Sequence, residues 1–185
     1  LAGLNMLLIS DTGAGKTQLV KDIYTTHFGG EASANFIMGR KETRVLDLFE
    51  RQQVDLSSGK YDSERATQIT DRTACMLNVL DEINRAPPPI QVDFFDLATG
   101  DYTFRGRPLK LGREGYALCM ATANMNKAGD NGFSGTFDMD RVLLNRMPLT
   151  LDLDHKAFQP TTEDKRFIRH AALDPGIKDA EARDL

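Results

Sequence analysis

The sequence predicts an α/β fold, a parallel β-sheet with helices packed on both faces. Three observations predict it. Short apolar runs alternate along the chain with stretches of helical spacing, the order that builds parallel sheets. The first run, Met6-Leu7-Leu8-Ile9, passes through a glycine-rich turn into such a helical stretch. The third run, Leu77 to Leu80, closes on two acids, Asp81 and Glu82.

Taken in order, Leu4 to Ile9 reads as a buried first strand bounded by turn residues. After Thr17, apolar residues fall at Leu19, Val20, Ile23 and Tyr24, a helical spacing that Gly29-Gly30 stops. Asn35 to Met38 is the second strand, and Thr43 to Glu50 a short helix. Residues 57–64 are polar and turn-rich, hence a loop, and Glu64 to Cys75 is predicted helical. Leu77 to Leu80 is the third strand. Pro87 to Thr99 is a helix whose prolines occupy its first turn, whose Ile90, Phe94, Leu97 and Ala98 share a face, and which Gly100 ends. Residues 102–105 and 108–111 flank Gly106-Arg107 as a β-hairpin. Tyr116 to Ala121 is a fourth buried strand, and Asn126 to Phe137 a glycine-rich loop. Asp138 is placed to cap a helix running to Met147, which Pro148 stops. Leu149 to Leu153 alternates as a fifth strand, and Thr161 or Thr162 caps a last helical stretch to Leu173.

Composition sets bounds. A chain of 185 residues suits one α/β domain with room for the start of a second. With 41% hydrophobic and 27% charged residues, wholesale disorder is excluded. The net charge of −4 argues against general nucleic-acid binding, and no apolar run is long enough to span a membrane. Cys75 and Cys119 lie in or beside apolar runs and read as buried small hydrophobes of a reducing cytoplasm, not a disulfide or metal pair. The three histidines have no ligand spacing. No secretory signal is visible, and with Leu1 so close to the first strand the chain reads as a trimmed piece of something longer.

Chemistry concentrates in two places. Ser10-Asp11-Thr12-Gly13-Ala14-Gly15-Lys16-Thr17 follows the phosphate-loop pattern G-x-x-x-x-G-K-[ST], with Ser10 where the first glycine is expected. Backbone N–H groups at a helix N-terminus hold polyphosphate, so Asp11, Thr12, Gly13, Ala14, Gly15, Lys16, Thr17 and Gln18 are the nucleotide-binding candidates. Lys16 is expected to reach the β- and γ-phosphates and the Thr17 hydroxyl to hold Mg²⁺. Opposite, Asp81 can anchor Mg²⁺ and Glu82 can polarise an attacking water as general base. An Asp-Glu pair alone is weak, since most strand-end acids are merely solvated; joined to the phosphate loop it is strong.

One string is more distinctive than either motif. Asp81-Glu82-Ile83-Asn84-Arg85-Ala86-Pro87-Pro88, followed by Gln91, resembles the Walker B region of the MoxR family of AAA+ ATPases. Residues 101–116 sit where that family places a hairpin before its sensor strand, Ala121-Thr122-Ala123-Asn124 resembles its sensor 1, and Leu143-Leu144-Asn145-Arg146-Met147 resembles its arginine-finger segment. The match runs from about Leu4 to Leu153. It implies a P-loop NTPase of AAA+ type. Its five-stranded sheet would have the order 5-1-4-3-2, with residues 1–154 as the nucleotide-binding core and 155–185 as the start of a truncated helical lid. It implies a ring ATPase, usually hexameric, that uses ATP and Mg²⁺ to remodel or activate a protein client. MoxR relatives often work with von Willebrand A domain proteins. Lys16, Thr17, Asp81, Glu82 and Asn124 would act in cis and Arg146 in trans. Arg141 is the other candidate for the trans role, and a helix C-terminal arginine facing the macrodipole is the plainer reading of Arg146.

Ser10 departs from the pattern: a glycine with positive φ there would make Ser strained, a negative φ would not. No sensor 2 arginine can be nominated, and the preference for ATP over GTP rests on resemblance alone. The competing functions are a nucleotide-gated assembly module with little hydrolysis, a GTP-hydrolysing relative, a small-molecule kinase and a nucleic-acid motor. The Asp81-Glu82 pair and Arg146 argue against the kinase, and the acidic balance against the nucleic-acid motor.

Overall fold

The computed structural model describes residues 4–52, 67–124, 136–159 and 161–166. In chain order the elements are β1 (Met6–Ser10), α1 (Lys16–His27), β2 (Ala34–Met38), α2 (Leu46–Phe49), β3 (Glu50–Gln52), β4 (Thr67–Ile69), β5 (Leu77–Asp81), α3 (Pro88–Thr99), β6 (Asp101–Phe104), β7 (Arg107–Lys110), β8 (Leu118–Asn124), α4 (Arg141–Leu144) and β9 (Leu149–Asp152). Short 3₁₀ turns stand at Glu31–Ser33, Asp71–Ala74 and Ile83–Arg85. Five strands form one parallel sheet in the order β2-β5-β8-β1-β9. The register sets Ser10 beside Asn124 and Leu80 beside Ala121, so the carboxyl ends of β1, β5 and β8 finish side by side.

Alternation along the strands builds two layers. Leu7, Leu80 and Ala121 enter the core with Phe94, Leu97, Leu143 and Met147 of the α3–α4 side. Their neighbours Leu8, Val79 and Met120, also buried, point to the opposite face, where α1 packs with Val20 and Tyr24. Strand β5 is buried at all five positions, which is why it reads as an apolar run broken only by Asn78 before it closes on Asp81. That amide is matched: Asn35, its register partner on β2, donates to it at 2.8 Å. Helix α3 carries proline in its first turn and ends at Gly100 with φ 72°.

Five expectations need correction. The stretch from Glu64 to Cys75 is not helical among its described residues: Thr67–Ile69 pairs antiparallel with Glu50–Gln52, and the rest is a 3₁₀ turn. β-Branched Thr67, Ile69 and Thr70 favour that pairing, and Thr70 fastens it through its N–H to Phe49 and its hydroxyl to Leu48. Glu50, expected to end a helix, therefore belongs to β3. The fourth core strand starts two residues later than expected and runs on through Asn124. Asp140, not Asp138, caps α4, its Oδ1 accepting from Val142 N at 2.7 Å, and the helix is only four residues long. The hairpin forms, but it turns on Arg105-Gly106, with φ 50° and 74°. Positive φ at both centres is the mirror-image turn that matches strand twist.

The β6–β7 hairpin and the β3–β4 ribbon touch. Tyr102 OH donates to Glu50, the Phe49 and Tyr102 rings lie 5.2 Å apart, and Arg105 donates to Thr67 O at 3.0 Å. Burial, reinforced by the Glu50 hydrogen bond, pushes the Tyr102 phenol up. Cys75 and Cys119 are free and buried, and burial raises the Cys119 thiol.

The chain divides into two units, Leu1–Asp152 and Leu153–Leu185. In the second, a 3₁₀ turn spans Lys156–Phe158 and residues 162–166 are helical, opened by a reciprocal cap. Thr161 N donates to Asp164 Oδ2 at 2.7 Å and Asp164 N donates to Thr161 Oγ1 at 3.1 Å. The continuation of that helix to Leu173 lies outside the described residues, as do the 57–64 loop and most of the 126–137 loop. No helix among the described residues is long and apolar enough to cross a membrane.

Candidate functional site

A cavity of about 350 Å³ opens at the carboxyl ends of β1, β5 and β8, lined by Thr12, Gly13, Ala14, Gly15, Lys16, Thr17, Gln18, Glu82 and Asn124. Parallel sheets bind ligands at this end. Gly13 and Gly15 take φ 86° and 81°, and a Cβ on either would meet nothing within 4 Å, so it is backbone conformation that selects glycine there. Gly15 begins α1 with no side-chain cap and no acid follows in the first turn, which leaves a positive helix end facing the cavity.

Ser10 is not strained. It is the buried last residue of β1, and among the described residues the non-glycine positive-φ positions are Glu82, Arg105 and Glu114. Its hydroxyl accepts from Lys16 Nζ at 2.8 Å and donates to the Asp11 carbonyl at 3.0 Å. Lys16 also donates to the carbonyls of Ser10 and Asp11, at 3.0 and 2.9 Å. Serine thus adds a side-chain acceptor that glycine would lack. Gln18 lines the cavity and its amide reaches Asp22 Oδ1 at 2.7 Å.

The acids come from β5. Asp81, 2% exposed, accepts the Thr17 hydroxyl at 2.9 Å (Oδ1) and 3.1 Å (Oδ2) and the Thr122 hydroxyl at 2.7 Å. Glu82 follows in the left-handed region, φ 53° and ψ 46°. Such a conformation costs a non-glycine residue on the order of 1–3 kcal/mol and persists where the surroundings over-determine it. Here they do. Glu82 N donates to Thr122 Oγ1 at 2.9 Å, and its carboxylate takes a long hydrogen bond from Asn124 Nδ2 at 3.4 Å and pairs with Arg85 Nε at 3.1 Å. Asn84 grips Asn124 through both backbone groups, donating to its O at 2.6 Å and accepting from its N at 3.3 Å.

Three of these supports escaped the reading of the sequence. Thr122 bridges Asp81 and Glu82; its signal was one hydroxyl in the otherwise apolar run Cys119-Met120-Ala121-Thr122-Ala123. Thr122→Val, which keeps the shape, is expected to lower stability by about 1–3 kcal/mol by removing both the buried hydrogen bond to Asp81 and the acceptor of the partly buried Glu82 N–H. Thermal denaturation checks it. Gly39 is the second: a Cβ there would stand 2.4 Å from Glu82 O. Gly39→Ala must displace the turn that aims Glu82, and is expected to lower turnover more than nucleotide affinity, read by comparing the two in one preparation. Asn84, given no role from sequence, is the third.

Arg146 does not join this cluster. Its guanidinium lies over the Phe95 ring at 5.9 Å, its backbone carbonyl accepts from Asn5 Nδ2 at 2.9 Å, and its buried Nε has no hydrogen-bond partner among the described residues. Arg141 is exposed.

Among the described residues no group of three His, Cys, Asp or Glu could hold a metal. The hydroxyl of Thr17 and the carboxylate of Asp81 are hard oxygen donors, two per site. That set suits Mg²⁺, which completes its shell with water and phosphate oxygens, better than a cation needing an all-protein cage.

No family model matches the sequence, and no curated protein matches it. Among solved structures, the fold is similar to that of a putative ATPase from Cytophaga hutchinsonii, with a TM-score of 0.61 at 16% identity. The match covers 93% of this chain and 47% of that one, so this chain spans about half its length. At that identity the likeness is one of fold.

Proposed function

We propose that this chain is the nucleotide-binding core of an ATP-hydrolysing AAA+ ATPase of MoxR type. One observation carries the reading: Lys16 and Thr17 of the phosphate loop line one cavity with Glu82 and Asn124 at the carboxyl end of the sheet, and Asp81 is hydrogen-bonded to Thr17 at its edge. The loop amides and Lys16 bind the phosphates. Thr17 and Asp81 would hold Mg²⁺, which would neutralise charge on the phosphate oxygens. Glu82 takes a proton from the attacking water, and Asn124 orients that water or the terminal phosphate. Arg146, which does not line its own subunit's cavity, acts on a neighbour's nucleotide in a ring of copies, and turnover drives the remodelling of a protein client. The protein client, the hexameric count and a von Willebrand A domain partner follow from the resemblance of the Asp81 to Pro88 string. The unbroken strand order and the 162–166 helix at the start of a lid are in keeping with it.

Steady-state phosphate release and equilibrium Mg–ATP binding by the full-length protein test this reading, with GTP as the parallel substrate. Lys16→Ala is expected to lose both. A Lys16→Ala protein that binds and hydrolyses like the wild type overturns it. Preference for GTP would keep the site and change the base.

A further inference from the structure

We infer that Gln91 is a positioning residue that ties the nucleotide site to α4, and so sets where Arg146 is presented to a neighbouring copy of the chain. This rests on the in-trans role proposed above for Arg146. Gln91 is fully buried in α3, on the same face as Phe94 and Ala98. An apolar side chain would fill that position at no desolvation cost, so a buried amide has to be justified by what it holds.

It holds both sides of one junction. Its Nε2 donates to Ala86 O at 2.9 Å, the end of the turn that begins at Glu82, and to Asp138 O at 3.1 Å. Its Oε1 accepts from Asp140 N at 2.8 Å. Asp140 in turn caps α4 through Val142 N at 2.7 Å. A second strap runs alongside: Asn84, which grips the backbone of Asn124, accepts from Phe137 N at 2.7 Å through its own carbonyl. Residues 137–140 are thus fastened at three points to the segment that aims Glu82 and Asn124. Helix α4 is four residues long, too short to fix its own direction, and Arg146 follows it by two residues. Movement of the Glu82 turn or of Asn124 is therefore passed through these amides to the arginine.

The test uses the full-length protein. Gln91→Glu keeps the shape but sets a carboxylate oxygen against the Ala86 and Asp138 carbonyls. Asp140→Ala, at a partly exposed position, removes only the α4 cap. Each is assayed for Mg–ATP affinity, for KM and kcat, and for turnover after mixing with Lys16→Ala subunits, which bring an intact Arg146 but no working phosphate loop. Gln91→Glu is expected to keep its ATP affinity and KM and to lose kcat by roughly tenfold, the size of a positional coupling. Lys16→Ala subunits should restore turnover, and Arg146→Ala subunits should not. Full turnover by Gln91→Glu overturns the inference. So does a loss that Lys16→Ala subunits fail to repair while they do repair Arg146→Ala, since Gln91 would then act within its own site. If they fail to repair Arg146→Ala itself, the in-trans reading falls and this inference with it. Should Gln91→Glu bind no ATP, Asp140→Ala decides: the same repair pattern supports the tie, and wild-type turnover overturns it.

Discussion

Glu82→Gln is expected to lower ATP turnover by about 10²- to 10⁴-fold while Mg–ATP binding stays intact, the range a positioned general base supplies. The substitution is nearly isosteric, so the Thr122 and Asn124 contacts around the turn survive, while the group that would take the proton no longer can. The structure fixes the backbone from which the side chain acts. Its backbone sits in the left-handed region, Thr122 pins its N–H, and Gly39 closes over its carbonyl. Phosphate release and nucleotide binding, measured on the same preparations, check the prediction. Unchanged release would remove Glu82 as the base. Equally slow release from wild type and variant, with nucleotide-dependent assembly retained in both, would favour the assembly-module reading over a motor.

Much of the site was legible in the sequence because its chemistry is local. The phosphate loop is eight contiguous residues, and the acids are two neighbours at the end of an apolar strand, so no long-range knowledge is needed to find them. What was not legible depends on contacts across the sheet. Thr122 matters because β8 runs beside β5 and places its hydroxyl between Asp81 and the Glu82 N–H; one threonine in a strand carries no such message by itself. Gly39 matters because β2 ends against the Glu82 turn, a proximity set by strand order. Ser10 reads as a defect against the motif, yet it occupies a strand position with no demand for positive φ. The misread helix from Glu64 to Cys75 failed for the opposite reason. Local periodicity there was weak, and pairing with Glu50–Gln52, a partner supplied by the tertiary fold, decided the conformation of Thr67–Ile69.

Arg146→Ala is expected to lower turnover by about 10³- to 10⁵-fold, the worth of an arginine finger, without weakening ATP binding. The argument begins with where Arg146 is not. It lines no part of the cavity of its own subunit, and among the described residues it has no carboxylate partner. Yet its guanidinium is held, lying over the Phe95 ring with a long hydrogen bond from Nη1 to Val142 O at 3.5 Å. A cation held over an aromatic ring and given no carboxylate partner among the described residues suits a group that receives its anion from outside the subunit. Trans action has a second signature: specific turnover of the wild type should fall on dilution, and Arg146→Ala should already lack it at high concentration. Arg141→Ala separates the two arginines. Exposed at the start of α4, Arg141 is expected to tolerate the change with turnover within about twofold of wild type, as surface substitutions usually do. If Arg141→Ala carries the large loss and Arg146→Ala does not, the finger is Arg141. If neither does, hydrolysis is completed within one subunit, and the stacking on Phe95 serves only to pack α4 against α3.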